Sequence, residues 1–342
     1  MSTVIGIVGV GGVARYAHLP AYLKNNMLVK CICDTNIQVA NEIGQQFGIS
    51  NIYSSAEEMI AKEDIDIVDV ATPPSSHLEI LEICARYHKR VLMQKPIIVT
   101  LDQYNQLDAL INKLPSFRVN LQGRYVSAWQ KVKQILESKS LGSPLLCTIN
   151  NQDWWDRQPE RWDNSIRNYI VFEMLIHHID LCIYWFGRPE KVTARGGINP
   201  QQTIKNTNYV SVMLEYKSGL IVQIVENWCM SEYKFATGHP YEDILITCSN
   251  GVIKANSEMV ESSQLGDNVI NTFLLPRPGQ ILSNEMLLHN WFCDAFGEIM
   301  NDYMINGQLP DIITRDKEHA LYITKILFSI SRSLESDLWI TL

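Results

Sequence analysis

The sequence has no cysteines at the spacing of a metal site. Its eight cysteines are scattered, and none forms a CxxC motif. Cys31 and Cys33 are separated by one residue in an apolar run, which is typical of small hydrophobic side chains on one face of a strand. This distribution predicts reduced thiols, no metal centre and a cytoplasmic location.

Long runs of charge and long apolar runs are also missing. The chain carries 29 basic and 37 acidic residues, a net charge of -8, and has no basic patch. Such a surface argues against nucleic acid and anionic membranes as partners. No uncharged apolar run is long enough to span a bilayer, and the first residues lack the basic region of a secretion signal. We therefore expect a soluble protein with neither a nucleic-acid nor a membrane partner.

Apolar strand patterns alternate with amphipathic helical patterns in the first part of the chain. A first helix should follow the first strand and be interrupted or restarted at Pro20. This alternation is typical of a doubly wound parallel sheet with helices on both faces. The predicted strands span residues 4–10, 28–34, 65–72, 90–96 and 117–122.

The pattern changes after about residue 123. The runs NYVSVMLEY, GLIVQIVENW and EDILITCS follow one another without helices, and the first two are separated by a turn signal at 217–219. Successive alternating strands predict an antiparallel sheet. A last helix is predicted at about 316–334, with Thr314 as its N-cap. We expect two domains, residues 1–122 and 123–342, whose C-terminal helix is able to pack back on the first domain.

The segment GVGGVA places Gly9, Gly11 and Ala14 in the pattern GxGxxA directly after a strand. The first glycine permits a tight turn, the second lets the backbone approach a pyrophosphate, and the small third residue lets helix pack on strand. The N–H groups at the start of the following helix favour phosphate. The turn predicted to bind the cofactor therefore includes Gly9, Gly11, Gly12, Val13 and Ala14.

Asp34 ends the second predicted strand, about 20 residues after the glycine motif, where a carboxylate accepts from both ribose hydroxyls. No arginine comes immediately after it. A carboxylate at this point repels a 2′-phosphate, so the sequence predicts NAD as the cofactor and disfavours NADP.

The segment MQKP places Lys95 at the carboxyl end of a predicted parallel strand, where ligands of open α/β sheets bind. A lysine there could hydrogen-bond a substrate hydroxyl and stabilise alkoxide character. An ordinary surface lysine at a strand end is the competing interpretation.

The segment FEMLIHHID places Glu173, His177 and Asp180 on one stripe of a predicted helix, with His178 about 100° away. Three hypotheses compete. The stripe could hold a metal, although no further ligand is clearly spaced to complete the site. His177 could be a buried structural histidine, or it could be a general base oriented by a nearby carboxylate. The residues alone leave the last two open.

Four segments in this order, GIVGVGGVA, ATPPSSH, VLMQKP and EMLIHHID, resemble the Gfo/Idh/MocA family of oxidoreductases over essentially the whole chain. The resemblance implies an N-terminal Rossmann domain and a C-terminal α/β domain with a large open, mostly antiparallel sheet. It also implies an NAD(P)-dependent dehydrogenase or reductase acting on a sugar, inositol, sugar acid or related polyol. Assembly as a homodimer or homotetramer through the exposed sheet is a further implication.

The resemblance also assigns roles to single residues. His177 would take the hydroxyl proton, Lys95 would contact the substrate oxygen, and Glu173 would position histidine or substrate. Gln94 and Glu173 depart from the family pattern, which has Glu and Asp at these positions. The segments ATPPSSH and VLMQKP would lie beside the cofactor, which implicates Thr72, Pro73, His77, Gln94 and Lys95.

A tryptophan-rich segment, WWDRQPERWD, precedes the predicted catalytic helix. Aromatic rings stack on sugar faces and arginines bind carboxylates, yet such clusters are as often core or subunit contacts. The substrate candidates are Arg124, Trp154, Arg157, Arg161, Tyr169 and Asp180.

Two further classes of function remain open. One is a hydrolase or lyase that retains NAD and oxidises a sugar transiently, and the other is a non-catalytic nucleotide or sugar sensor. A base and a lysine at these two positions argue against the sensor, because binding alone requires neither.

Overall fold

A computed structural model of the chain describes residues 3–156, 162–230, 241–256, 259–266, 269–274 and 290–342. The chain divides into two units, each of which collects segments from distant parts of the sequence. The first unit comprises Met1–Tyr125 and Pro278–Thr324, and the second comprises Val126–Arg277 and Lys325–Leu342.

A six-stranded sheet forms the centre of the first unit. Its strands lie in the order β3-β2-β1-β4-β5-β6, and all five neighbouring pairs are parallel. The three strands β1, β4 and β5 are almost entirely buried, as expected for a parallel sheet covered on both faces. The strands are β1 Val4–Val8, β2 Leu28–Cys33, β3 Asn51–Tyr53, β4 Ile67–Val70, β5 Arg90–Gln94 and β6 Phe117–Asn120.

Helices connect these strands. The first includes one wide π-helical turn, Ala14–His18, and continues without a break as α1. Pro20 lies in the first turn of α1, where a proline is tolerated, so the predicted interruption at this proline is wrong. Helix α2 begins at a side-chain cap: Asn36 accepts hydrogen bonds from the backbone N–H groups of the next turn. The helices are α1 Leu19–Lys24, α2 Ile37–Phe47, α3 Ala56–Lys62, α4 His77–Arg86 and α5 Tyr104–Lys113.

A nine-stranded sheet forms the centre of the second unit. Its described strands are antiparallel to their neighbours except for the parallel pair β7 and β10. The order is β14-β13-β12-β11-β7-β10-β9-β8-β15. The second unit contains helices α6 Ser127–Ser138 and α7 Ile176–Phe186. The strands of its sheet are β7 Pro144–Gln152, β8 Lys191–Gly197, β9 Tyr209–Glu215, β10 Ile221–Asn227, β11 Tyr241–Cys248, β12 Gly251–Ala255, β13 Met259–Gln264, β14 Ile270–Leu274 and β15 Ile340–Thr341.

The predicted hairpin between β9 and β10 is confirmed. The two strands pair in antiparallel register, with Val212 opposite Ile224. Gly219 in the connecting turn has φ +86°, a backbone conformation that glycine adopts without a steric penalty.

Two long helices complete the chain, α8 Asn290–Asn306 and α9 Pro310–Ser336. Helix α8 contributes Phe296, Ile299, Met300 and Tyr303 to the buried core of the first unit. The predicted cap of α9 is wrong. Thr314 lies inside the helix, where its hydroxyl donates to the carbonyl of Pro310 at 3.0 Å.

None of the helices in the described part of the chain is both long enough and apolar enough to cross a membrane.

Candidate functional site

The turn after β1 has a backbone shape that requires glycine at its first position. Gly9 has φ +88°, and its N–H donates to the carbonyl of Cys33 at 2.8 Å. A Cβ atom at this position would meet the Ala71 carbonyl oxygen at 2.9 Å and the Thr72 methyl group at 2.7 Å. Gly9 therefore holds β1 tightly against the loop that follows β4.

The turn is open around its next two glycines, Gly11 and Gly12. A Cβ atom at Gly11 or at Gly12 would meet nothing within 4 Å. Ala14 is completely buried at the start of the helix, so the turn is anchored on its inner side and open on its outer side. Open backbone at the second glycine is what the approach of a pyrophosphate requires.

Asp34 lies directly beyond β2 and is tied to the same turn. One of its carboxylate oxygens accepts from the N–H of Val10 at 3.0 Å, and the other accepts from the N–H of Asn36 at 2.9 Å. Each carboxylate oxygen accepts more than one hydrogen bond, so both remain able to take a ribose hydroxyl. With the open turn at Gly11, this placement fits a bound dinucleotide.

The loop after β4 contains the cofactor candidates Thr72 and Pro73, and His77 is the first residue of α4, which follows it. Thr72 is partly exposed and Pro73 is exposed, whereas His77 is completely buried. The ring nitrogens of His77 lie 2.9 Å from the carbonyl oxygens of Ile97 and Thr72. Burial lowers the pKa of His77 against the opposing effect of these carbonyls. His77 thus holds the loop in place, and its predicted effect on a cofactor would act through Thr72.

Lys95 immediately follows β5 and is half-buried. The preceding side chain, Gln94, is buried, and its amide oxygen accepts from the N–H of Lys95 at 2.9 Å. Its amide nitrogen lies 3.0 Å from Nε2 of His18. Gln94 therefore faces the interior of the first unit.

In the second unit, the segment around Glu173 is not a regular α-helix. Residues Val171–Leu175 form a π-helical turn, and α7 follows without a break. Such turns are frequent at functional sites. Glu173 is half-buried, and one of its carboxylate oxygens accepts from the hydroxyl of Tyr169 at 2.8 Å. This hydrogen bond fixes the carboxylate one turn before His177.

Helix α7 is buried on both faces. His177 and Asp180 retain only 5% and 1% of their exposure, and His178 retains 2%. The histidines point to different surroundings, as their spacing predicts. Within the described residues, no group of three or more His, Cys, Asp or Glu side chains is arranged to hold a metal ion.

His178 lies between two carboxylates of the nine-stranded sheet. Its Nδ1 contacts Glu226 on β10, and its Nε2 lies 2.7 Å from Glu242 on β11. Burial lowers the pKa of His178, but the charges of Glu226 and Glu242 and the hydrogen bonds to them prevail and raise it to about 10. Asn151 on β7 donates to Glu226 at 2.8 Å. A buried imidazolium thus joins the start of α7 to β10 and β11, and Asn151 links β7 to the same carboxylate of Glu226.

The tryptophan-rich segment separates into a packing part and an accessible part. Trp155 stacks on Trp228, with ring centroids 5.2 Å apart, and Tyr169 lies against the same ring. Trp154 keeps 36% of its surface exposed. Of the substrate candidates in this segment, Trp154 remains accessible, and Arg157 and Arg161 lie outside the described residues.

Arg124 belongs to the first unit and lines a cavity of about 40 Å³. Its guanidinium lies 2.8 Å from Nε2 of His319 on α9. The same cavity is lined by Arg118, which forms ion pairs with Asp302 and Asp316. The contact with His319 indicates a structural role for Arg124. Its binding to a substrate stays a prediction.

Two pairs of buried polar residues belong to none of the predicted sites, His18 with Asp69 and His178 with Glu226. Asp69 interrupts an otherwise apolar strand, and a buried carboxylate requires a partner. Glu226 follows Val222 and Ile224 at intervals of two residues, so the period of the strand places all three side chains on the same, buried face. These two signals could have indicated the networks, but neither names the partner histidine.

The fold and the open glycine turn define a dinucleotide-binding protein with a second, mostly antiparallel sheet. Residues 3–119 match the model of an oxidoreductase family with an NAD-binding Rossmann fold, and residues 129–254 match the GFO/IDH/MocA C-terminal domain. The chain therefore belongs to the GFO/IDH/MocA oxidoreductase family.

Curated relatives include a D-apiose dehydrogenase from Paraburkholderia graminis, 26% identical over 63% of this chain and 57% of that protein. A myo-inositol 2-dehydrogenase from Thermotoga maritima is 24% identical over 64% of this chain and 66% of its own. The chain thus matches less than two thirds of the length of either relative.

A solved structure of an oxidoreductase from Agrobacterium radiobacter in complex with NAD+, L-tartaric acid and magnesium superposes with a TM-score of 0.87. It covers 100% of this chain and 98% of the other at 20% identity. At this identity the likeness establishes the fold.

Proposed function

We propose that the protein is an NAD-dependent dehydrogenase that transfers hydride between the nicotinamide and a CH–OH group of a sugar, inositol or sugar acid. The observation that carries the proposal is the open turn at Gly11 and Gly12 beside the carboxylate of Asp34. The dehydrogenase names of two relatives, one acting on D-apiose and one on myo-inositol, support the substrate class.

We assign three residues to the chemistry. Bound NAD supplies the hydride acceptor. His177 takes the proton of the reacting hydroxyl, a task that suits a histidine near neutral pH. Lys95 donates a hydrogen bond to the same oxygen and stabilises its developing negative charge. Glu173, held by Tyr169, positions the substrate or the base.

Substrate contacts are proposed for the accessible candidates. Trp154 offers an exposed ring to a sugar face, and Arg124 offers a guanidinium to a carboxylate or hydroxyl. Tyr169 and Asp180 are almost completely buried, so their contribution lies in fixing neighbouring groups. The proposal keeps Arg157 and Arg161 as candidates from the sequence alone.

The first experiment follows reduced-nicotinamide absorbance while the protein meets inositols, aldoses, uronic acids and aldonic acids with NAD, and separately with NADP. The proposal expects reduction with NAD and one substrate class. Tight NAD binding with no reduction across the panel would instead favour the hydrolase or lyase that retains its cofactor, or the sensor. Release of a leaving group or water from a sugar substrate without net cofactor turnover distinguishes these two.

Replacement of the assigned residues tests the mechanism. His177→Ala and Lys95→Ala should each lower kcat by roughly a hundred- to ten-thousandfold, because each removes a group that acts in the transition state. NAD affinity should stay nearly unchanged. The exposed residues His88 and Lys113 provide matched controls, as His88→Asn and Lys113→Ala. Near-normal turnover in either test variant would remove that residue from the mechanism.

We also propose a cytoplasmic location, a homodimer or homotetramer, and no nucleic-acid partner. Burial raises the pKa of the Cys31 and Cys33 thiols to about 12, which suits thiols that stay reduced. A net charge of -8 disfavours a polyanionic partner. Partly exposed apolar residues on the nine-stranded sheet support self-association.

A further inference from the structure

A buried chain of hydrogen bonds leads from β4 to the main chain of Lys95. Asp69 on β4 contacts Nδ1 of His18 at 2.6 Å, and Nε2 of His18 lies 3.0 Å from the amide nitrogen of Gln94. The amide oxygen of Gln94 accepts from the N–H of Lys95 at 2.9 Å. Asp69 and His18 are completely buried, and Gln94 retains 5% exposure.

The proton positions in this chain follow from one fixed donor. The N–H of Lys95 can only donate, so the Gln94 atom that faces it is the oxygen. The amide NH₂ of Gln94 consequently faces His18, and Nε2 of that ring must accept. A neutral imidazole that accepts at Nε2 carries its proton on Nδ1 and donates it to Asp69.

At the Asp69 end of this hydrogen-bond chain, further contacts hold the same proton positions. The same Asp69 oxygen accepts from the hydroxyl of Tyr22 at 2.7 Å. Burial, the charge of Asp69 and the hydrogen bond to it raise the pKa of Tyr22 well above its usual value, so the hydroxyl remains a donor. The ring of Phe296 on α8 lies 4.7 Å from the His18 ring and covers it. Tyr22 and Nδ1 of His18 therefore act as hydrogen-bond donors, and Asp69 acts as the acceptor of both.

We propose that Gln94 is a positioning residue that anchors the main chain at Lys95 and that is itself oriented by the neutral Nδ1–H form of His18. The inference rests on the proposed function in so far as that function gives Lys95 a catalytic role. An ionised glutamate at position 94 could not donate to Nε2. In that ionised form it would hold the same anchor if His18 carried both protons and lay as an imidazolium between two carboxylates.

The proton positions can be read directly by NMR. Protein labelled with [15N]histidine, as wild type, Gln94→Glu and Gln94→Leu, is compared at neutral pH, with the His18 signals identified by their loss in His18→Gln. We expect the neutral Nδ1–H pattern in the wild type and in Gln94→Leu. We expect the imidazolium pattern in Gln94→Glu. An Nε2–H tautomer or an imidazolium in the wild type would overturn the proposal.

The anchor itself is read by hydrogen exchange at the Lys95 amide. Its protection should fall in Gln94→Leu, which has no acceptor, and persist in Gln94→Glu, which keeps one. With an active substrate, kcat should fall about tenfold or more in Gln94→Leu, because small misplacements of catalytic groups are costly. It should stay closer to wild type in Gln94→Glu, and NAD affinity should change less than kcat in both.

A purely structural Gln94 would lower thermal stability in both variants while leaving the Lys95 amide protected and kcat unchanged, and that result would refute the positioning role. The histidine NMR spectra and the hydrogen exchange of the Lys95 amide are both measured on protein without substrate. They therefore decide the hydrogen-bond chain even if the substrate panel shows no dehydrogenase activity, so failure of one proposal is distinguishable from failure of the other.

Discussion

At the scale of single residues, Asp34 is the group expected to select the cofactor. Its carboxylate accepts from Val10 and Asn36 and retains acceptor capacity for the ribose hydroxyls. We expect Asp34→Ala to weaken NAD binding by about tenfold or more, since hydrogen bonds to a charged group contribute roughly 1.5–3 kcal/mol. NADP binding should change far less, because the carboxylate opposes the 2′-phosphate. Calorimetric titration with both nucleotides measures the two affinities.

The comparison of the two nucleotides is itself the control. Loss of the hydrogen bonds to Val10 and Asn36 loosens the turn for NAD and NADP alike. Only the ribose contact distinguishes the two nucleotides. An equal loss of affinity for both would show that Asp34 shapes the turn without contacting the ribose.

His178 predicts a pH dependence of stability. Its pKa is about 10 in the folded chain against an ordinary value of 6.5, so between these two pH values the folded state holds a proton that the unfolded state releases. The resulting contribution is fully present below about pH 6.5, declines above it, and is lost as the pH rises through about 10. We expect it to amount to several kcal/mol, since each unit of pKa shift corresponds to about 1.4 kcal/mol.

Urea denaturation between pH 6.5 and pH 10 tests this expectation. The free energy of unfolding of the wild type should fall across this range, whereas that of His178→Gln should fall much less. His177→Gln is the matched neighbour and should keep the slope of the wild type. Parallel curves for wild type and His178→Gln would show that the imidazolium does not form.

Single residues were predictable where a local motif surrounds them. Gly9 and Asp34 belong to a motif whose spacing is set by one strand-turn-helix unit, and the structure places both in the same turn. The contacts of His18 with Asp69 and of His178 with Glu226 join residues 51 and 48 positions apart. No local pattern encodes such pairs, because the pairing depends on the order of strands in each sheet.

At the scale of elements, the turn after β1 supplies a matched pair of substitutions. Gly9→Ala should destabilise the fold by about 1–3 kcal/mol, because its Cβ would meet Ala71 and Thr72 and its φ is positive. Gly11→Ala should leave the melting temperature nearly unchanged, because its Cβ meets nothing within 4 Å. The same methyl group occupies the space that the pyrophosphate needs, so Gly11→Ala should still weaken NAD binding strongly.

Thermal melts and NAD titrations of both variants separate the two roles. The expected pattern is a lower melting temperature for Gly9→Ala and weaker NAD binding at an unchanged melting temperature for Gly11→Ala. If Gly11→Ala bound NAD as tightly as the wild type, the open side of the turn would not be where the cofactor lies.

Most helices and strands of the chain follow from their periodicity, and the exceptions have physical causes. Strand β3, Asn51–Tyr53, has only three partly buried residues, too few to form an apolar run. The π-helical turn Val171–Leu175 has the same apolar pattern as an α-helix of that length. Helix α9 begins six residues before its predicted start, because Pro310 is well suited to the first helical turn.

At the scale of the whole molecule, both sheets are predicted correctly in kind. The parallel sheet follows from alternating strands and helices, and the antiparallel sheet from consecutive strands. Strand β7 is the part that could not be predicted. It pairs in parallel with β10 and antiparallel to β11, between two strands that follow it by many residues. Sequence order gives no indication of a central strand inserted in this way.

The outer face of the nine-stranded sheet is the surface through which the proposed homo-oligomer would form. Leu146 on β7 lies opposite Ile221 on β10, and the register places Leu245 on β11 on the same face. These three side chains keep 43%, 40% and 40% of their surface exposed, while the opposite face of the same strands is buried. A second copy of the chain would cover this apolar surface, and a two-fold axis would bring the same residues from both copies to one interface.

We therefore expect Leu146→Glu and Leu245→Glu to shift the assembly toward monomer, since each places two buried, like-charged carboxylates in a two-fold interface. Sedimentation velocity over a dilution series measures the shift, which should reach about tenfold or more in the dissociation constant. Leu101→Glu is the matched control: Leu101 is 63% exposed and lies in the other unit. A monomeric wild type, or an assembly that tolerates both sheet substitutions, would refute this face as the interface between copies of the chain.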